Sequence, residues 1–198
     1  MNIIVKPYGS DLCYCRPDTT WERENKDFYS PECVNEIYWT PVVFARVSKA
    51  GKCVGKKFVE RYYDGVGCGM LLYCGTSTTS FDGSAGMRSL SEVVDRSSIL
   101  PHPLFQPVVL EDEKELIVSC QHDAQDDAAL SHNIILSGAK DLLEEALCNA
   151  SQLTSLRIGD FVAVELRELQ KLACKEDGNV AVKGEFCEKE IFSFDIIF

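Results

Sequence analysis

The sequence predicts a β-rich α+β fold in one domain spanning 1–198. Three observations point there. Segments dense in β-branched and aromatic residues outnumber segments with helical periodicity, and such side chains suit a pleated, half-buried surface. The segments do not alternate strand with helix, which disfavours a parallel doubly wound sheet. A chain of 198 residues, 45% hydrophobic and 26% charged, can bury one core and is too apolar for extended disorder.

Taken in order, residues 1–35 are expected to be an irregular lead-in. Its 7–35 stretch carries Pro, Gly, Asp, Asn and Ser with little periodicity, so only short extended pieces are predicted. Residues 37–47 read I-Y-W-T-P-V-V-F-A-R-V, a strand, with Pro41 expected at a bulge or edge because it has no ladder N–H. Ala50-Gly51-Lys52 is predicted to be a hairpin turn. Residues 57–64 suggest a short helix with Phe58, Val59, Tyr62 and Tyr63 as its apolar positions. Residues 66–74 are nearly all apolar, which implies a strand covered on both faces. Gly67 and Gly69 inside it imply close backbone packing.

Residues 75–80 form a polar loop, and 90–94 suggest a short helix. Pro101, Pro103 and Pro107 break up the next stretch. Residues 115–120 and 132–136 read as strands around an acidic loop. The clearest helix is 139–148, where Leu142, Leu143, Ala146 and Leu147 make one stripe. Three more strands are predicted at 161–166, 180–186 and 191–198. Asp177-Gly178 is a hairpin signal.

Composition excludes several functions. With 20 Lys+Arg against 31 Asp+Glu the net charge is −11, which argues against binding a nucleic-acid backbone. No apolar run reaches ~18–20 residues, so no membrane helix is expected. The start, M-N-I-I-V-K-P, has no basic segment leading into an apolar one, so a cytoplasmic protein is expected. There is no nucleophile elbow, phosphate-binding loop or dinucleotide fingerprint.

Ten cysteines stand at 13, 15, 33, 53, 68, 74, 120, 148, 174 and 187, with no C-x-x-C pair. In a reducing compartment they read as free thiols behaving as small hydrophobes. Cys13 and Cys15 share one face of an extended segment but lack a second pair for a thiolate metal site. A cysteine nucleophile would need a base, and spacing does not place His102, His122 or His132 beside any thiol. His122, Asp123, Asp126, Asp127 and His132 form the His/Asp cluster. It is either a metal site or, with Glu111-Asp112-Glu113 before it in an acidic stretch at 111–127, a solvated acidic face. Phe81-Asp82-Gly83-Ser84-Ala85 suits either a cap or turn or a place in a pocket.

Several segments, in shared order, resemble small bacterial members of the fumarylacetoacetate hydrolase family. They are Ala50-Gly51-Lys52 followed by F-V-E-R-Y-Y-D-G-V at 58–66 and Gly69, F-D-G-S-A at 81–85, and L-R-I-G-D at 156–160. Arg16-Pro17-Asp18 and D-F-Y-S-P at 27–31 resemble the family's early strands. The similarity covers roughly 14–90 and 138–198 and leaves out the acidic middle.

The resemblance implies a mixed β-roll or sandwich with few short helices, usually a homodimer. It also implies a divalent metal on three carboxylates, with a His–Glu pair and a lysine completing a C–C hydrolase, decarboxylase or isomerase site. The family's Glu-x-Glu falls here on Thr40 and Val42, its Asp on Leu71 and its Lys on Thr79. Its Thr-Gly-Thr-Pro turn falls on V-E-L-R at 164–167. No Asp or Glu occurs from 37 to 59, and no acid or Lys from 65 to 81. The N-terminal catalytic segment is also without a counterpart.

The expectation is therefore a family-like fold with no metal and no cofactor. It would act as a binding, regulatory or structural subunit, as a homodimer or as a heterodimer with an active paralogue. A second possibility is metal-independent chemistry on a small oxoacid in the remnant cleft, using Asp82, Ser84 or Arg88. In that case the cleft takes a small-molecule ligand. A third is a metal- or redox-responsive protein using its cysteines.

Overall fold

The structure, a computed structural model, describes residues 1–76, 92–122 and 129–198. In chain order the first strands are β1 (Asn2–Lys6), β2 (Tyr14–Pro17), β3 (Trp21–Glu22), β4 (Phe28–Tyr29), β5 (Glu36–Val47), β6 (Tyr63–Gly75) and β7 (Ser98–Ile99). After them come β8 (Glu115–His122), β9 (Leu130–Ile135), the helix α1 (Ala139–Leu153), β10 (Phe161–Glu165), β11 (Gln170–Cys174), β12 (Val180–Phe186) and β13 (Lys189–Ile197).

The strands form two sheets. The larger runs β2-β1-β10-β5-β6-β7-β3, with β11 also pairing β5. Its two end strands, β2 and β3, are separated in sequence only by the 3-10 turn Asp18–Thr20. Three residues span at most about 10–11 Å, so the sheet must curl until its edges nearly meet. The smaller sheet runs β4-β13-β12-β8-β9. No described helix is long and apolar enough to cross a membrane.

Period-two alternation in the long strands divides the core in two. Inside the curled sheet lie Ile3, Val5, Val42, Phe44, Leu71, Tyr73, Leu100, Phe161 and Ala163. Its outer face, with Ile4, Val43, Ala45, Leu72 and Val162, packs against α1 and the inner face of the small sheet in one larger cluster. The helix buries Ala139, Leu143, Ala146, Leu147 and Ala150, whereas Leu142 from the predicted stripe is 40% exposed.

Most predicted elements are found, and the differences have physical reasons. Within the irregular lead-in, residues 2–6 form a central strand, because parallel pairing of Ile3–Lys6 with Phe161–Val164 buries Ile3, Ile4 and Val5. Pro41 is at neither an edge nor a bulge. Its carbonyl accepts from Leu166 N–H at 2.9 Å, so its nitrogen faces the gap between β10 and β11, where β5 needs no donor. The strand 66–74 begins earlier, at Tyr63, and is buried along nearly its whole length. Its predicted close packing holds: a Cβ on Gly67 would run into the Phe44 ring, and one on Gly69 into the Ile99 carbonyl.

Ala50-Gly51-Lys52 is not a tight hairpin, since Gly51 instead bridges to Leu156 through two backbone hydrogen bonds of 3.1 and 2.8 Å. The 57–64 helix is a 3-10 turn, Lys56–Arg61, that buries only Val59 and leaves Phe58 46% exposed. Of the helix expected at 90–94, residues 92–93 form a turn and 94 a bend; 90 and 91 lie outside the described residues. The strand β11 was not predicted. Asp177-Gly178 does turn the chain, with Gly178 at φ +74°, but it carries the chain from β11 in the large sheet to β12 in the small one. The tight hairpin joins β12 to β13 through Cys187 and Glu188, at φ +52° and +59°. That backbone ordinarily selects Asn or Gly, so the sequence carries no signal for it.

Candidate functional site

Antiparallel pairing of β5 and β6 sets Thr40 directly opposite Leu71 and Val42 opposite Gly69. On its other side Val42 faces Glu165 of β10. Thr40, Val42, Leu71 and Glu165 thus share the inner face of the curled sheet. The first three are fully buried, and Phe44, Tyr73, Leu100 and Phe161 belong to the same inner cluster. Thr40 Oγ1 donates to the Arg167 carbonyl at 2.8 Å.

A hard divalent cation prefers about six oxygen ligands, several of them anionic. Thr40, Val42 and Leu71 offer one hydroxyl, already bonded, and two aliphatic side chains, and the carboxylate beside them, Glu165, already accepts from Tyr73 and Tyr8. They do not fit the metal site that the resemblance implies. Among the described residues, no group of three or more His, Cys, Asp or Glu is arranged to hold a metal ion.

A polar chain that the sequence reading missed runs along the same inner face. Arg16, wholly buried, donates from Nη1 and Nη2 to the Leu72 carbonyl at 3.2 Å, and from Nη1 to the carbonyl and hydroxyl of Ser97 and the hydroxyl of Ser98. Its guanidinium lies 4.5 Å from the centroid of the Tyr73 ring. Arg16 Nε donates to the Tyr14 hydroxyl at 3.4 Å. The Tyr14 and Tyr73 hydroxyls bond each other, and Tyr73 donates to Glu165 Oε1. Each phenol has one proton, so the direction of every bond follows: Arg16 to Tyr14 to Tyr73 to Glu165. The far carboxylate oxygen accepts from Tyr8 N–H at 2.9 Å.

A cation and an anion are therefore joined through two phenols in a largely buried setting, where such chains reinforce one another. Burial is the main cause that holds both phenols above the usual tyrosine range, with the Arg16 charge pulling the other way. The only sequence signals were polar tips inside otherwise apolar strands, Tyr73 in β6 and Glu165 at the end of β10.

Several of the remaining candidates are not described. Thr79, Asp82, Ser84 and Arg88 lie outside the described residues, as do Asp123, Asp126 and Asp127. His132 sits opposite Val118, four residues along β8 from His122, which is about 13 Å. The two histidines therefore do not converge on one ion. His132 meets the Trp39 ring edge-on at 5.3 Å, and burial, then Arg167, lowers its pKa. His102 packs edge-on to Trp21 at 5.5 Å.

All ten cysteines are free. Burial pushes the Cys74 and Cys120 thiols up to about 12 and is the first cause of the rise at Cys13 and Cys15. None of these four is an activated thiolate.

No family model and no curated protein sequence matches the chain. Solved structures do. A protein assigned to the fumarylacetoacetate hydrolase family from Yersinia pestis superposes with TM-score 0.72 at 12% identity, over 99% of this chain and 92% of that one. Maleylpyruvate hydrolase from Sphingobium sp. SYK-6 gives 0.71 at 13%, over 99% and 70%. Fumarylpyruvate hydrolase from Pseudomonas aeruginosa, solved with Mn²⁺ and pyruvate, gives 0.68 at 14%, over 100% and 90%. The chain has the fold of these proteins.

Proposed function

We propose that this chain is a non-catalytic protein on the fumarylacetoacetate hydrolase fold, acting as a binding or structural subunit. One observation carries the reading: Thr40, Val42 and Leu71 meet on neighbouring strands, fully buried and without a carboxylate among them. Side chains fill the place where the resemblance expects a metal and its oxoacid substrate. The P. aeruginosa neighbour holds Mn²⁺ and pyruvate. Calorimetric titration of this protein with Mn²⁺, alone and with pyruvate, should give no stoichiometric heat. A one-to-one Mn²⁺ site of submillimolar affinity overturns the reading.

The subunit role implies a partner of the same fold, either a second copy or an intact, metal-binding paralogue. Sedimentation velocity of the protein alone and mixed with such a paralogue tests this. A monodisperse 22.1 kDa species at micromolar concentration for the protein alone, with no joint species in the mixture, would refute it.

A further inference from the structure

The outer side of α1 carries a groove that runs from the end of β10, at Val164, Glu165 and Leu166, along the helix. One wall is the segment 6–12 and the other is the helix face bearing Leu142, Glu145, Asn149 and Leu153. Two depressions of about 540 and 370 Å³ adjoin at Asp11 and make up the groove. Four large apolar side chains stand open along it: Tyr8 51%, Leu12 71%, Leu142 40% and Leu153 56% exposed. Isolated exposed apolar residues are ordinary, but four along one channel form a patch.

The segment is held in shape. Ser10 N–H donates to the Pro7 carbonyl at 3.2 Å, and Leu12 N–H donates to Ser10 Oγ at 3.1 Å.

The charged residues lining the groove, Asp11, Glu145 and Glu165 against Lys6, are net negative. Asp11 is almost fully exposed and Glu145 half exposed, with Asp141 also exposed in the first turn of α1. Among the described residues the only cation lining it is Lys6, whose side chain is 10% exposed and whose ammonium is 2.7 Å from Glu145 and 3.9 Å from Asp11. The groove therefore presents apolar anchors on a negative rim, in a chain of net charge −11. From Leu142 to Leu153 it runs about 16 Å, three turns of helix.

We propose that this groove docks a basic amphipathic helix of a partner protein. Leucine-type anchors at i, i+4 and i+7 would lie against Tyr8, Leu12, Leu142 and Leu153, with Lys or Arg at the flanks facing Asp11, Asp141 and Glu145. The inference goes beyond the subunit role.

The test uses the full chain and three labelled peptides of about 18 residues, read by fluorescence anisotropy. They are a helical Lys/Leu peptide with that anchor spacing, a scrambled peptide of the same composition, and a Glu/Leu counterpart. The first should bind with micromolar affinity, and the other two at least about tenfold more weakly. Leu12→Ser with Leu153→Ser, and separately Asp11→Lys with Asp141→Lys, should each weaken it about tenfold. All four positions are exposed, so melting temperatures should stay near wild type. Equal binding of the scrambled peptide, or variants within twofold of wild type, overturns the proposal. So does self-association that the Leu12→Ser, Leu153→Ser variant abolishes, since the occupant is then a second copy.

Discussion

Arg16 shows how one residue links two edges of a sheet. It belongs to β2, yet its guanidinium bonds carbonyls and hydroxyls from β6 and the segment leading into β7. Replacing it with Met should cost about 3 kcal/mol in urea denaturation, because donors are lost and the Glu165 carboxylate loses its compensating charge. Tyr73→Phe, which cuts the chain between them, should cost about 1–3 kcal/mol.

The same phenols set an alkaline limit. Tyr14, Tyr63 and Tyr73 sit above the ordinary value of 10.0, each raised chiefly by burial. Above that value the unfolded chain has released protons that the native state still holds, so stability falls as pH rises. Below pH 10 this contribution is fully present; it is lost as pH climbs through the raised native values. In an ultraviolet titration, these three of the seven tyrosines should ionise only as the protein unfolds. Reversible ionisation of all seven near pH 10 in the folded state would contradict this.

Strand pairing carries the element-scale predictions. Thr40→Glu, Val42→Glu and Leu71→Asp together introduce carboxylates at the positions that the resemblance assigns to the metal. Three charges would enter a fully buried face, so the triple variant should lose at least about 4 kcal/mol without metal. Millimolar Mn²⁺ should return part of that loss by binding only the folded state. Melting curves with and without Mn²⁺ decide it. Wild-type stability in the metal-free variant would place these side chains in solvent. The first strand is the second case. Deleting residues 1–6 removes Ile3, Ile4 and Val5 from the core and opens the sheet between β2 and β10. Their burial is worth roughly 6 kcal/mol, close to a domain's whole stability. The truncated chain should give an unfolded circular dichroism spectrum.

For the whole molecule, charge and closure matter most. A net charge of −11 on 198 residues repels itself, and salt screens that repulsion. Raising ionic strength from about 0.02 to 0.2 M should therefore raise the melting temperature by roughly 2–4 °C, about 1 kcal/mol for this size. A fall over that range would mean that ion pairs such as Lys6–Glu145 outweigh the repulsion. Curling of the large sheet also explains why so few residues carry the site region. Tyr14 and Arg16 of β2, Tyr73 of β6 and Glu165 of β10 meet only because the sheet closes.

The sequence by itself determined the β-rich class, the long central strands, the helix and the run from 37 to 59 without an Asp or Glu. Each of these depends on local side-chain pattern or on residue identity, which a linear chain displays. Only the tertiary structure decided that residues 2–6 are a core strand, that Pro41 lies in a ladder gap, and that Cys187-Glu188 is the tight turn. It also decided that Arg16 and Glu165 end one buried chain, and that Leu12 and Leu153 border one groove. Those facts depend on pairing across more than 120 residues, as between Arg16 and Glu165 or Pro41 and Leu166, or on a backbone shape that packing imposes against local preference. Such partners carry no mark of each other until the sheet has curled.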